Sequence, residues 1–151
     1  MNINIRKCTK EETNIANALL TKLIRDEKQY DDNINENVTV DYYYESVINN
    51  ENHLILFAEI EEKIVGYIYG FIENYDTTYI NKISKLDALY VIEDYRHMGV
   101  GKNLIENFID LSKSKNVSKI EVSACAGNIN AMNLYQSINF KPVKITMNLE
   151  I

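Results

Sequence analysis

The chain's clearest chemical feature is Arg96-x-x-Gly99-x-Gly101, followed directly by Lys102. Glycine lacks a Cβ, so backbone at Gly99 and Gly101 can approach a ligand closely. Helical periodicity begins at Val100, and a helix N-terminus offers unpaired N–H groups and the positive end of a dipole. Arg96, His97 and Lys102 add side chains able to carry positive charge. Together these features suit an anion, a pyrophosphate above all. The plainer reading is a strand-to-helix turn with a solvated arginine, and the segment alone leaves both open.

Other phosphate motifs fail on inspection. A Walker A loop needs glycine five residues before Gly101 and Ser or Thr after Lys102, where Arg96 and Asn103 stand. A Rossmann fingerprint needs a small residue at Leu104 and a turn near the first strand. A nucleotide-binding switch is therefore disfavoured.

The elements that must position this turn follow from periodicity. Residues 2–6 alternate as a first strand. Thr9 and Glu12 fit a capping box, after which Ile15, Leu19, Leu20, Leu23 and Ile24 recur at helical spacing. The polar, tyrosine-rich stretch from Tyr30 to Tyr44 reads as a loop with a short second helix. Residues 53–60 and 64–73 form a hairpin around Glu61-Glu62-Lys63, and a further strand runs from Lys82 to Val91. The helix after the glycine turn carries Val100, Leu104, Ile105, Phe108 and Leu111 on one face. Ile120, Val122, Ala124 and Ala126 mark the next strand; Ala131, Leu134, Tyr135 and Ile138 mark another helix. Val143, Ile145, Met147, Leu149 and Ile151 alternate with polar residues as a last strand. The order β-α-α-β-β-β-α-β-α-β is a mixed α/β sheet in one domain, residues 1–151.

Composition narrows the function. The 151 residues are 46% hydrophobic and 25% charged, a globular balance. A net charge of −6 disfavours a nucleic-acid binder, which would gather a basic stripe. No apolar run approaches the roughly 20 residues of a membrane span. No charged-then-apolar leader opens the sequence, so a cytoplasmic protein with no membrane partner is expected. Cys8 and Cys125 lack any CxxC spacing and read as reduced, buried small residues; with only His53 and His97 besides, no metal is expected.

The segment Leu89-Tyr90-Val91-x-x-x-Tyr95-Arg96-x-x-Gly99-Val100-Gly101 resembles motif A of the GNAT family of N-acetyltransferases. Further on, Asn128-x-x-Ala131-x-x-Leu134-Tyr135-x-x-x-x-Phe140 resembles that family's second signature, with Asn139 where glycine is usual. Asparagine is the residue best able to replace glycine in a left-handed helix stop. The resemblance covers essentially the whole chain. It implies the GNAT-like acyl-CoA N-acyltransferase fold, a mixed and mostly antiparallel sheet flanked by helices, with acetyl-CoA as cosubstrate.

Carried over residue by residue, the resemblance gives the main chain of Leu89 and Val91 to the pantetheine arm. It gives the cradle of Arg96, His97, Gly99, Val100, Gly101 and Lys102 to the pyrophosphate. Tyr135 matches the phenol that protonates the departing thiolate, as against a tyrosine simply packed in the core. Asn128 contacts the cofactor arm or caps its helix. Asp87, sharing strand parity with Leu89 and Val91, is a candidate general base, as against a structural or substrate-orienting carboxylate. Lys85 stands where the histone-acetylating branch keeps glutamate, against a histone-type mechanism.

The groove of this family lies between the first two helices and the loop before the fourth strand. Here that region holds Asp26, Glu27, Asp31, Asp32, Glu36, Asp41 and Glu45, with Glu73 and Asp76 after the third strand. Acidic walls concentrate a cationic amine, and Tyr42, Tyr43, Tyr44 and Tyr75 could offer aromatic faces to it. A solvated acidic face is the plainer alternative. The expected activity is transfer of acetyl to a primary amine: an aminoglycoside, a polyamine, a peptide N-terminus or a lysine. A CoA-binding sensor without turnover is the other reading, and a homodimer is left open.

Overall fold

In the computed structural model of the chain, residues 1–73 and 78–151 are described. The strands are β1 (Asn4–Lys7), β2 (His53–Ile60), β3 (Lys63–Ile72), β4 (Ile83–Val91) and β5 (Lys119–Val122). The helices are α1 (Thr13–Glu27), α2 (Tyr43–Val47), α3 (Val100–Ser114) and α4 (Ile129–Ser137). The sheet runs β1-β2-β3-β4-β5; its first three pairings are antiparallel and β4–β5 is parallel.

Both faces of the sheet are buried, which is why β2 and β3 read as nearly continuous apolar runs. One face packs Leu56, Ile68 and Leu86 against Leu104, Ile105 and Phe108 of α3. The other packs Phe57, Tyr67, Tyr69 and Ala88 against Ala16 and Leu19 of α1 and Tyr44 of α2. The expected helical faces are therefore present. The β2–β3 turn places Glu61 and Glu62 at φ 50° and 63°, left-handed conformations that match the twist of a tight hairpin.

At the N-terminus, the Glu12 carboxylate accepts from the Thr9 N–H at 3.1 Å and its hydroxyl at 2.8 Å. The box opens a 3-10 turn, Lys10–Glu12, that leads into α1. Arg6 of β1 binds both Glu12 and Glu59, each at 2.6 Å, tying that turn to β2.

Two expectations need correction. β5 ends at Val122, so Ala124 and Ala126 lie beyond it in exposed loop. Residues 141–151 pair with no strand among the described residues, and their alternating apolar side chains stand in solvent, from Val143 at 70% exposed to Met147 at 87%. A period-2 pattern specifies a strand only where another strand is available to receive it.

Candidate active site

The site is built where β4 departs from regularity. Gly70 pairs with Leu86 and Tyr69 pairs with Ala88, so the ladder skips Asp87. This bulge reverses the expected parity. Leu86, Leu89 and Val91 turn to the α3 face, while Ala88, Tyr90 and Ile92 turn to the α1 face. Gly70 makes the bulge possible, because a Cβ there would lie 2.3 Å from the Lys85 carbonyl and 2.4 Å from the Phe108 ring. Bulges re-aim side chains beside functional sites. Asp87 remains exposed, yet desolvation by its surroundings raises its pKa, opposed by Lys85. Lys85 itself pairs with Glu73 at 3.2 Å and Glu121 at 3.9 Å.

Beyond Leu86 the two parallel strands part. β4 and β5 are paired only from Ile83–Lys119 to Leu86–Val122, while β4 continues to Val91. The Ile92 N–H donates to the Val65 carbonyl at 2.8 Å across the β3 side. Leu89 and Val91 therefore turn their own main-chain groups to the open edge. The Val91 carbonyl there accepts from Arg96 Nε at 2.8 Å. The N–H of Val91 and both main-chain groups of Leu89 are left facing the cleft.

At the end of this edge lies the cradle. Gly99, at φ 85°, is the N-cap of α3 in a left-handed conformation, and no side chain caps the helix. The N–H groups of Val100, Gly101 and Lys102 precede the first bond of that turn, Asn103 N–H to the Gly99 carbonyl at 3.0 Å. The surroundings thus fit a polyanion. His97, at φ 61°, and Lys102 are exposed on the rim. Arg96 is already engaged: it pairs with Asp26 at 3.2 Å and lies over the Tyr90 ring at 5.3 Å. Gly101 serves packing, because a Cβ there would come 3.3 Å from Leu134 Cδ2 of α4. The two glycines thus do different work: one bends the chain and the other lets two helices meet.

α4 packs Tyr135 on the same apolar cluster as Leu89 and Val91. The Asn128 side chain accepts from the Ala131 N–H at 3.1 Å, so Asn128 is the N-cap of this helix. Asn139 takes φ 72°, the left-handed stop its sequence position calls for. The Tyr135 ring packs edge-on against Phe140 at 5.7 Å. Its hydroxyl makes no hydrogen bond to the described residues, and among them no buried side-chain N or O lacks a partner; the oxygen therefore reaches solvent. Burial, with the charge of Glu27 second, pushes its pKa up to about 12, so it stays protonated at neutral pH.

Glu27, the last residue of α1, emerges as a member of the site. Desolvation raises its pKa first, then the charges of Asp31 and Asp87. Its charge in turn acts on Tyr67, Tyr135 and Cys125. In the sequence it stands among many acidic residues, and its position as the final residue of an amphipathic helix is the one signal that sets it apart. Cys125 is half-buried near this group, unlike Cys8, which is buried.

Much of the expected acidic and aromatic wall has other occupations. Tyr44 is fully buried with its hydroxyl 3.0 Å from that of Tyr67, so it offers no face to a ligand. Tyr43 shares a hydrogen bond with Tyr69 at 2.9 Å, and Tyr69 another with His53 at 2.8 Å. Glu45 accepts two bonds from Asn17, at 3.0 and 2.8 Å. Asp32, Glu36, Asp41 and Tyr42 are exposed. Tyr75 and Asp76 lie outside the described residues. Among those described, no group of three or more His, Cys, Asp or Glu is arranged to hold a metal ion. No described helix is long and apolar enough to cross a membrane.

A bulged β4, a splayed β4–β5 pair and an uncapped α3 at its mouth define an acyltransferase-type α/β domain, and sequence comparison agrees. A sequence model of the Acetyltransferase (GNAT) family matches residues 15–140, and the chain belongs to that family. An N-alpha-acetyltransferase of Sulfurisphaera tokodaii is 27% identical over 110 residues, covering 69% of this chain and 66% of that protein. A spermine/spermidine N(1)-acetyltransferase of Bacillus subtilis is 31% identical over 83 residues, covering 54% of this chain and 55% of that protein. With N-acetyltransferase 8 of Homo sapiens the match spans 42% of the relative's length, so this chain corresponds to part of the relatives it matches. Among solved structures, a tetramutant of the BH1408 protein of Bacillus halodurans superposes with a TM-score of 0.86 at 23% identity, covering 98% of this chain and 99% of that one. The aminoglycoside acetyltransferase meta-AAC0020, from an uncultured soil sample, gives 0.76 at 16% identity over 99% and 96%. At such identities the shared feature is the fold.

Proposed function

We propose that the chain transfers acetyl from acetyl-CoA to a primary amine by direct attack. The observation that carries this reading is the succession of an open strand edge beyond Leu86 and an uncapped helix N-terminus at Gly99, with Tyr135 packed on the same apolar cluster as Leu89 and Val91. Leu89 and the Val91 N–H hold the pantetheine arm as a neighbouring strand would. The N–H groups from Gly99 to Lys102 take the pyrophosphate, with the His97 and Lys102 side chains at the rim and Arg96 fixing the loop through Val91 and Asp26. Asn128 acts by capping the helix that carries Tyr135.

The amine nitrogen attacks the thioester carbonyl carbon; the C–N bond forms and the C–S bond breaks. Asp87 or Glu27, directly or through water, takes the proton the ammonium must lose before attack; as the C–S bond breaks Tyr135 donates its proton to the departing thiolate, and the second proton of the attacking nitrogen passes through water to restore the phenol. The raised pKa of both carboxyls makes each a better base than an ordinary surface carboxylate. The remaining carboxylate orients the cation. Relatives named for spermine/spermidine, for N-alpha-amino groups and for aminoglycosides support an amine as acceptor. The free cysteines Cys8 and Cys125 support a reducing, cytoplasmic location.

The test is release of free thiol from acetyl-CoA across a panel of polyamines, aminoglycosides and peptide amines. Amine-dependent release is expected. Binding of acetyl-CoA without release for any amine would instead make the chain a CoA-binding sensor.

A further inference from the structure

Two tyrosines and a histidine form one hydrogen-bonded row on the α1 face of the sheet. Tyr69 of β3, fully buried, has its hydroxyl 2.8 Å from His53 Nδ1 and 2.9 Å from the Tyr43 hydroxyl. His53 opens β2, its ring stacked with that of Tyr69 at 5.9 Å; Tyr43 opens α2 and meets Tyr69 edge-on at 5.8 Å. The row lies beside the bulge, because Tyr69 pairs with Ala88, the residue after Asp87. Burial first, then the bond to Tyr43, makes Tyr69 a weaker acid than usual, with the charge of Asp87 behind them. Tyr69 therefore keeps its proton and must give it to one neighbour or the other. Tyr43 is the member open to the outside: it is 37% exposed, and among the described residues its hydroxyl has no partner but Tyr69.

We infer that Tyr43 determines specificity for the acceptor amine: its phenol oxygen accepts a hydrogen bond from the bound ammonium, and Tyr69 and His53 are the positioning residues that make it an acceptor. On the amine-acetylation reading, on which this rests, α2 borders the acceptor groove. Each hydroxyl has one proton to donate, so the direction of the row is set at its inner end. The bare nitrogen of a neutral imidazole is a stronger acceptor than a phenol oxygen. It takes the Tyr69 proton, Tyr69 takes that of Tyr43, and the Tyr43 oxygen turns only lone pairs outward. A protonated His53 donates from both nitrogens, and the row reverses. The Tyr43 O–H then points outward, one donor facing another, and the amine binds less well. Desolvation lowers the His53 pKa below its ordinary 6.5, so the row runs in the accepting direction at neutral pH. His53 shares a cavity with Lys7 and Cys8 at the end of β1, Glu51 before β2 and Lys115 after α3. The two lysines oppose a charge on His53, and Glu51 favours one.

Nitrogen-15 NMR of the histidine rings in the full chain is expected to place the proton of neutral His53 on Nε2, leaving Nδ1 bare. Tyr43→Phe keeps the ring and removes only the oxygen. With spermidine, kanamycin and a peptide N-terminus as amines and thiol release as readout, it is expected to raise the amine KM on the order of tenfold at neutral pH, with kcat and the acetyl-CoA KM moving far less. The ratio of the two amine KM values, variant to unaltered, is expected to fall toward unity as pH drops below about 6.5, where the row has already reversed. In a His53→Asn background, whose amide cannot titrate, that ratio is expected to stay constant with pH. A neutral His53 protonated at Nδ1, an amine KM unchanged in Tyr43→Phe, or a ratio indifferent to pH in the presence of His53 overturns the proposal and leaves amine acetylation standing. No release from any of the amines, with acetyl-CoA bound, overturns the parent reading and this one with it.

Discussion

Glu27, the last residue of α1, and Asp87, in the bulge of β4, interact from distant parts of the chain: burial raises the Glu27 pKa most, the charge of Asp31 next, and the charge of Asp87 adds to both. Removing that charge should lower the Glu27 pKa, which carbon-detected titration of Asp87→Asn would measure. An unchanged Glu27 titration would separate the two residues. In the pH–rate curve, a base with raised pKa places the acid limb above the ordinary carboxylate range. Asp87→Asn should flatten that limb if Asp87 takes the proton, and keep it but shift it to lower pH, together with the Glu27 titration, if Glu27 does.

The same shift has a stability consequence of definite sign. A carboxyl raised above its ordinary value of 4.5 disfavours the folded state once ionised, fully so above the folded pKa. Glu27→Gln should therefore raise the melting temperature slightly at neutral pH. The gain should fade as pH falls below about 4.5, where both states hold the proton. Glu12 behaves oppositely: bonding to Arg6 depresses its pKa to about 2, and the stability it contributes is lost between about 4.5 and about 2. Thermal melts of Glu12→Gln and the unaltered chain should converge at the acid end.

Tyr135→Phe keeps the ring against Phe140 and removes only the hydroxyl. Turnover should fall on the order of a hundredfold, with acetyl-CoA affinity nearly unchanged. Equal loss in both would make the tyrosine a cofactor contact.

The two glycines of the cradle should separate by assay. Gly99→Ala forces a side chain to φ 85°, at a strain cost of about 1 kcal/mol, while its Cβ meets only Asn103 at 3.8 Å. Its effect should be on acetyl-CoA affinity, about tenfold. Gly101→Ala presses on Leu134 at 3.3 Å and should lower the melting temperature first. Calorimetry and melting curves of both variants distinguish them.

Gly70→Ala tests the bulge. A Cβ held 2.3 Å from the Lys85 carbonyl cannot be accommodated by a rotamer change, so strand or Phe108 must move, at about 2 kcal/mol or more. Activity should fall with stability, because the same shift displaces Asp87.

What the sequence conveyed depended on how local each feature is. Val100, Leu104, Ile105 and Phe108 announce α3 by spacing alone, and Arg96-x-x-Gly99-x-Gly101 marks the cradle because its chemistry lies within one turn. The bulge was illegible: Leu86-Asp87-Ala88 alternates as any strand does, and the skipped residue follows from Gly70 and Phe108 in other elements. Tyr44 reads as surface in its acidic tyrosine run, yet Tyr67 and Asn17 draw it fully inside. Glu27 owes its raised pKa first to burial, then to Asp31 and to Asp87, the last a neighbour only in three dimensions. The C-terminal alternation predicts a strand, but a strand also needs an edge to join, and among the described residues none pairs with it.

The most direct test of the central claim is calorimetric titration of acetyl-CoA into the purified protein, with ATP and NAD as controls. Saturable binding of acetyl-CoA alone, weakened by Gly99→Ala, is the expected result. Absence of binding, or equal binding of all three compounds, would mean that the turn before α3 is only a turn and that the fold here carries no acetyl-CoA site.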